Sequence, residues 1–246
     1  MTDILSRFGF PESSRIGQRI PKKLFAESSA LTGADRRMFQ KDVDEARCAY
    51  LLDCEKTTLS SVVDIEHDYS CFAVIDLTLK SPLHADKIAP LCHRTMPYPL
   101  LVVMHEEANG VKFSMAEKRM SRDGHEGTVL EKTVITPWFL STALDDFFAA
   151  SFFANAHGRD FLALHRWYFD RLEALNAAQV TGNFKPNCQD AEKRRAALAA
   201  IHTLDGQIAE LKRQAKKVLT LSQSIELNIQ IKDLERKRTA KVMDLS

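Results

Sequence analysis

Carboxylates, histidines and cations at short spacing are where chemistry would show first. A metal-dependent nuclease needs two carboxylates and a lysine converging on one ion, often an Asp followed by (Asp/Glu)-x-Lys on a strand. Asp64 and Asp76 fall on expected strands, but Asp76 runs on through Leu-Thr-Leu to Lys80, too far for that pattern. Glu210-Leu-Lys212 and Glu235-Arg-Lys237 have the spacing, on expected helices rather than strands. A divergent nuclease would have to draw on Asp64, Asp76, Glu117 and Lys118. Nine dispersed glycines form neither a phosphate-binding loop nor a dinucleotide fingerprint. Nucleophile elbows around Ser or Cys are missing as well.

Arg159-Asp160-Phe-Leu-Ala-Leu-His165 has the Arg-polar-x4-His form that helical ribonucleases use for 2′-hydroxyl chemistry. Residues six apart span about 600° of helix, so this Arg and His do not share a face closely. An exposed arginine and a partly buried histidine are expected there. His67, His84, His93 and His105 have no metal-ligand spacing. The five cysteines contain no CxxC pair, which predicts reduced thiols, mostly buried. No catalytic residue, metal or cofactor is assigned, and whether the chain is an enzyme stays open.

The elements that would position such groups are α+β. Pro21 to Phe25 opens a short helix within an N-terminal arm, and Thr32 offers an N-cap for a helix over Asp35–Tyr50. Ser61–Asp68 and Cys71–Lys80 are expected strands; Cys71, Ala73, Ile75, Leu77 and Leu79 make the cleaner apolar parity of the second. Ala85–Thr95 follows as a helix despite Pro90. Asn109-Gly110 predicts a two-residue hairpin between Leu100–Glu107 and Val111–Met120. A polar turn over Arg122–Gly127 leads to a third antiparallel strand, Thr128–Thr136. In Glu117-Lys118-Arg119, near the end of the second hairpin strand, the adjacent cations must point to opposite faces.

From Thr142 the period becomes helical. Leu144, Phe147, Phe148, Phe152 and Phe153 form one stripe, and Phe161, Leu164, Tyr168, Leu172 and Leu175 another. These aromatics are expected as core rather than as a cofactor box. Beyond Gln189, Ile201, Leu204, Ile208, Leu211, Ala215 and Val218 keep a 3-4 spacing; after a shift at Leu219–Ser224, Ile225, Ile229 and Lys232 continue it imperfectly while Leu227, Ile231 and Leu234 start a second register. That shift predicts a helical hairpin or a coiled-coil stutter. The segment from Gln189 holds 12 Lys/Arg and 8 Asp/Glu, a basic tail on a slightly acidic body within a chain of net charge +1. The reading is therefore two domains, 1–188 (α+β, antiparallel sheet packed by helices) and 189–246 (helical hairpin or coiled coil).

Several blocks together resemble a known bacterial family, domain of unknown function 4391. They are Ile20-Pro-Lys-Lys-Leu-Phe25, Met96-Pro-Tyr-Pro-Leu100, Ala116-Glu-Lys-Arg119, Thr136-Pro-Trp138 and Gln223-Ser-Ile-Glu-Leu-Asn-Ile229 before a Lys/Arg-rich helix, spanning residues 16 to 243. The resemblance implies no activity and no catalytic residues. It implies a setting beside helicases and DNA methyltransferases in restriction-like or anti-phage loci.

The functional expectation is a non-catalytic accessory subunit whose tail docks on a helicase or DNA methyltransferase; the alternative is a divergent nuclease effector. Ile201, Leu204, Ile208, Leu211, Val218, Ile225, Ile229 and Leu234 would meet the partner. Lys118, Arg119, Lys212, Arg213, Lys216, Lys217, Arg236, Lys237 and Arg238 would contact DNA or RNA phosphates. A homodimer through the tail helices is a third reading. No apolar run approaches the roughly 20 residues of a membrane span, and Asp3, Arg7 and Glu12 interrupt any leader-like stretch, which predicts a cytoplasmic protein.

Overall fold

The computed structural model describes residues 4–120, 128–186, 191–216 and 221–245. The chain divides into two compact units, Met1–Glu173 and Ala174–Ser246. The architecture is mixed: a six-stranded, mostly antiparallel sheet with helices, followed by C-terminal helices.

The first unit opens with an edge strand, β1 (Arg15–Arg19), and a short helix α1 (Lys22–Glu27) entered through Pro21. The helix α2 (Gly33–Asp42) starts on a capping box, in which Thr32 and Asp35 satisfy each other's backbone N–H. The expected helix to Tyr50 stops there: Val43–Leu52 is the strand β2. Register shifts between Val43 and Glu45 and between Cys48 and Tyr50 break its alternation, so that Val43 and Ala46 both enter the apolar core while Glu45 and Arg47 pair with each other at 3.0 Å. Pairing with the strands on either side overrode the helical spacing.

Ser61–Asp68 is not one strand. It supplies a small ribbon of β3 (Val62–Val63) and β4 (Asp68–Tyr69), outside the main sheet. The strand β5 (Phe72–Leu79) and the helix α3 (Ala85–Thr95) match expectation, Pro90 included. The strand β6 (Leu100–Glu106) then lies parallel to β5, and this β–α–β crossover gives the sheet its one parallel pair. The strands β7 (Gly110–Met120) and β8 (Thr128–Ile135) complete the antiparallel meander, in the order β1-β2-β5-β6-β7-β8. The expected turn at Arg122–Gly127 lies outside the described residues.

The Asn109-Gly110 turn differs in detail. Glu106 pairs with Gly110, so three residues form the loop, and Gly110 opens β7 at φ 90°. A Cβ on Gly110 would sit 2.2 Å from the Phe139 carbonyl oxygen, so only glycine fits. The Glu106 carboxylate accepts from Asn109 N at 2.8 Å and Asn109 Nδ2 at 2.6 Å, closing the loop.

Both faces of the sheet are covered. Ala73, Ile75, Leu77 and Leu79 of β5 pack with Phe25, Phe39, Ile88, Leu91 and Leu100, the parity expected for the core. The opposite face holds an aromatic layer. Phe8 lies within 6.1 Å of Phe113, Phe147, Phe148 and Tyr168, and Phe72 stacks on Tyr168. These rings come from the N-terminal arm, the sheet, the short helix α4 (Asp145–Ala150) and the long helix α5 (Phe161–Thr181). The expected Phe161–Leu175 stripe is buried; Phe152 is half exposed.

In the second unit, α6 (Ala191–Ala215) and α7 (Leu221–Met243) pack on each other. Lys212 meets Glu235 at 2.8 Å and Arg238 meets Asp205 at 2.5 Å, pairings that run in opposite chain directions. The tail is thus a helical hairpin, and a coiled coil is not shown. Among the described residues no helix is long and apolar enough to cross a membrane.

Candidate functional site

The first unit carries a cavity of about 280 Å³ bounded by four stretches of chain. The β3–β4 ribbon gives Asp64, His67 and Tyr69; β7 and β8 give Glu117 and Glu131; α5 gives His165 and Arg166. The ribbon is held at both ends. Ser60 N donates to Arg159 O at 2.8 Å and Phe161 N to Ser60 O at 3.1 Å, at the start of α5. Met120 N donates to Glu66 O at 2.6 Å, at the end of β7. At the ribbon tip the Asp64 carboxylate accepts from Glu66 N and His67 N at 2.7 Å and lies 3.1 Å from His67 Nδ1. That arrangement is an Asx turn.

His165 is fully buried, with Nε2 donating to Ala116 O at 3.1 Å. Burial disfavours its charged form and takes its pKa down to about 3. Burial also pushes the Tyr69 hydroxyl up to about 12, helped by Glu117 and opposed by Arg166. The Arg159–His165 spacing therefore builds structure: Arg159 anchors the ribbon through its carbonyl, Asp160 caps α5 by accepting from Ala163 N at 2.7 Å, and His165 packs against β7.

Lys118 is not a surface cation. It is 7% exposed, and its Nζ donates to Met96 O and Tyr98 O, each at 2.8 Å. Both carbonyls precede a proline, in the extended stretch after α3, and a lysine reaches them across the sheet. Burial brings the ammonium down to about 7. Two of the sequence blocks noted above, Met96–Leu100 and Ala116–Arg119, thus meet through one side chain. Arg119 turns the other way and pairs with Glu131 at 3.1 Å.

The residues a nuclease would use do not converge. Asp64 and Glu117 line the cavity. Asp76 instead pairs with His105 Nε2 at 2.9 Å on the neighbouring parallel strand, and the Lys118 ammonium is held by carbonyls. Among the described residues no group of three His, Cys, Asp or Glu is placed to hold a metal ion. The four histidines considered above each have a polar partner: Asp64 for His67, Asp42 for His84, Ser114 for His93 and Asp76 for His105. Burial raises the Cys71 thiol to about 11 and the Cys92 thiol to about 12, which keeps both protonated.

The hairpin residues divide sharply. Ile201 and Ile208 are buried within the chain and cannot meet a partner as they stand; Leu204, Leu211 and Leu234 are partly covered. Ile225 and Ile229 are exposed, while the second register buries Ile231. Of the expected phosphate contacts, Lys212, Arg213, Arg236 and Arg238 pair with hairpin carboxylates, at 2.8, 2.8, 3.3 and 2.5 Å. Lys216 and Lys237 are exposed and make no ion pair among the described residues. Lys217 and Val218 lie outside the described residues.

Sequence reading missed the cavity because its walls come from four separated stretches. Asp64, His67, Glu117, Lys118 and His165 drew attention one by one, but nothing in their spacing joined them into one site. No curated protein and no solved structure matches the chain. The span of the blocks agrees with a family model that matches residues 8–237: the chain belongs to DUF4391, described as a domain of unknown function.

Proposed function

We propose that the chain is a non-catalytic accessory subunit of an anti-phage or restriction-like complex, docking on a helicase or DNA methyltransferase through α7. The observation that carries this reading is a pair of isoleucines, Ile225 and Ile229, one helical turn apart and 53% and 57% exposed. Side chains at i and i+4 share a helix face, and such pairs anchor a helix laid in a groove. Full burial of an isoleucine stabilises by about 1.5–3 kcal/mol. Covering two half-exposed ones therefore supplies a modest anchor that a surrounding polar rim must complete.

The partner class comes from the setting that the family resemblance implies. Nucleic acid enters this reading through Lys216 and Lys237, with the ion-paired cations as a reserve. Exposed ion pairs contribute little in water, so their cations can be re-paired with phosphates at small cost.

The test is affinity capture of tagged full-length chain and of its Ile225→Asp/Ile229→Asp variant from the native host, with nuclease treatment and mass spectrometry. The wild type recovers a helicase or methyltransferase, and the variant loses it with unchanged helicity. Equal recovery by both sinks docking through this face. Recovery of only a second copy of the chain replaces the reading by a homodimer. Metal-dependent cleavage of nucleic acid by the purified chain would favour the nuclease alternative, which has Asp64 and Glu117 on one cavity in its support.

A further inference from the structure

Most charges around the cavity in the first unit are already compensated. Asp64 is saturated by the ribbon tip, Glu131 is held by Arg119, and the Lys118 ammonium is turned to two carbonyls. Two charges are not. Glu117 on β7 and Arg166 on α5 both line the cavity, and neither has an ion-pair or hydrogen-bond partner among the described residues. They do not pair with each other. The cross-strand neighbour of Glu117 is Lys132, whose Nζ goes to Glu173 at 3.1 Å instead.

His165 backs the cavity without offering it a contact. Its Nε2–H is committed to Ala116 O, and its Nδ1, though unpaired, is fully buried and out of a ligand's reach. Tyr69 supplies an aromatic wall, edge-on to the His165 ring at 5.4 Å.

An unpaired, half-buried anion and an unpaired, exposed cation lining one cavity are the complement of a molecule carrying both charges. We propose that this cavity binds a small zwitterion of the amino-acid class, its ammonium on Glu117 and its carboxylate on Arg166. The size agrees. Clefts for drug-sized ligands start near about 300 Å³, so 280 Å³ suits one small metabolite. The ribbon's two anchors build the cavity in advance, so little ordering is lost on binding.

The test is calorimetric titration of the full-length chain with each standard L-amino acid, up to about 10 mM. The best ligand is then compared with its N-acetyl and carboxamide forms. At least one amino acid binds, and each cap lowers affinity about tenfold or more, the loss expected for a charge-assisted hydrogen bond. Glu117→Gln lowers affinity for the zwitterion but not for the N-acetyl form; Arg166→Gln does so for the zwitterion but not for the amide. No binding by any amino acid, or capped forms binding as well as the zwitterion, overturns the proposal. The capped-ligand comparison uses the unaltered chain, so it decides the matter even where a variant does not fold.

Discussion

A lysine ammonium inside an apolar sandwich needs oxygen atoms around it, and Lys118 finds two at the mouth of β6. Its folded pKa of about 7 lies below the ordinary 10.5. Between those values the unfolded chain holds a proton that the folded chain has lost, so the stability contributed by this group rises with pH there and is lost as pH falls towards 7. The slope from one such group is at most about 1.4 kcal/mol per pH unit. His165 works in the acid range. Its pKa is about 3 when folded against 6.5 when free, and burial lowers His93 well below 6.5 in the same way. Stability therefore falls as pH drops below 6.5, because the unfolded chain takes up the protons first. Urea unfolding of the wild type at a series of pH values should show both slopes. Lys118→Met should abolish the slope between pH 7 and about 8.5 and leave the acid one; a wild-type profile flat over that window, below the pH at which the Cys71 and Cys92 thiols ionise in the unfolded chain and pull the other way, would contradict the burial of a charge at Lys118.

At the scale of elements, local signals held where a side chain closes its own backbone. The Thr32 N-cap and the Pro21 start of α1 were both legible, because each acts within a turn of its own position. Thr32→Ala should cost about 1 kcal/mol of unfolding free energy in urea, since it removes the hydroxyl that accepts from Asp35 N and leaves only the Asp35 carboxylate on the backbone N–H of residue 32. An unchanged midpoint would mean that α2 is held by Phe39 packing alone. Where partners are distant, the local signal failed. Val43, Ala46 and Tyr50 keep helical spacing, and only the strands on either side turn Val43–Leu52 into β2. The parallel pairing of β5 and β6 was implicit in a strand–helix–strand order, yet strand order cannot be read from one sequence. The cavity was illegible for the same reason. Its histidine comes from a motif that resembled a ribonuclease and serves as core, and its unpaired Glu117 differs from Glu131 only in what folding places beside it.

At the scale of the whole molecule, the aromatic layer ties distant segments of the first unit together. Phe8 is fully buried and touches rings from β7, α4 and α5. Phe8→Ala should cost about 3–5 kcal/mol, read as a lowered urea midpoint, which for a domain of ordinary stability is a large share of the whole. A loss under about 1 kcal/mol would show that the arm is peripheral. The same layer sets a timetable during synthesis. Tyr168, which Phe8 packs against, is made 160 residues after it. At about 5–20 residues per second, the arm waits roughly 8–32 seconds with its apolar rings uncovered. Until α5 has emerged, one face of the nascent sheet has no cover, and that interval is when a chaperone would be most needed.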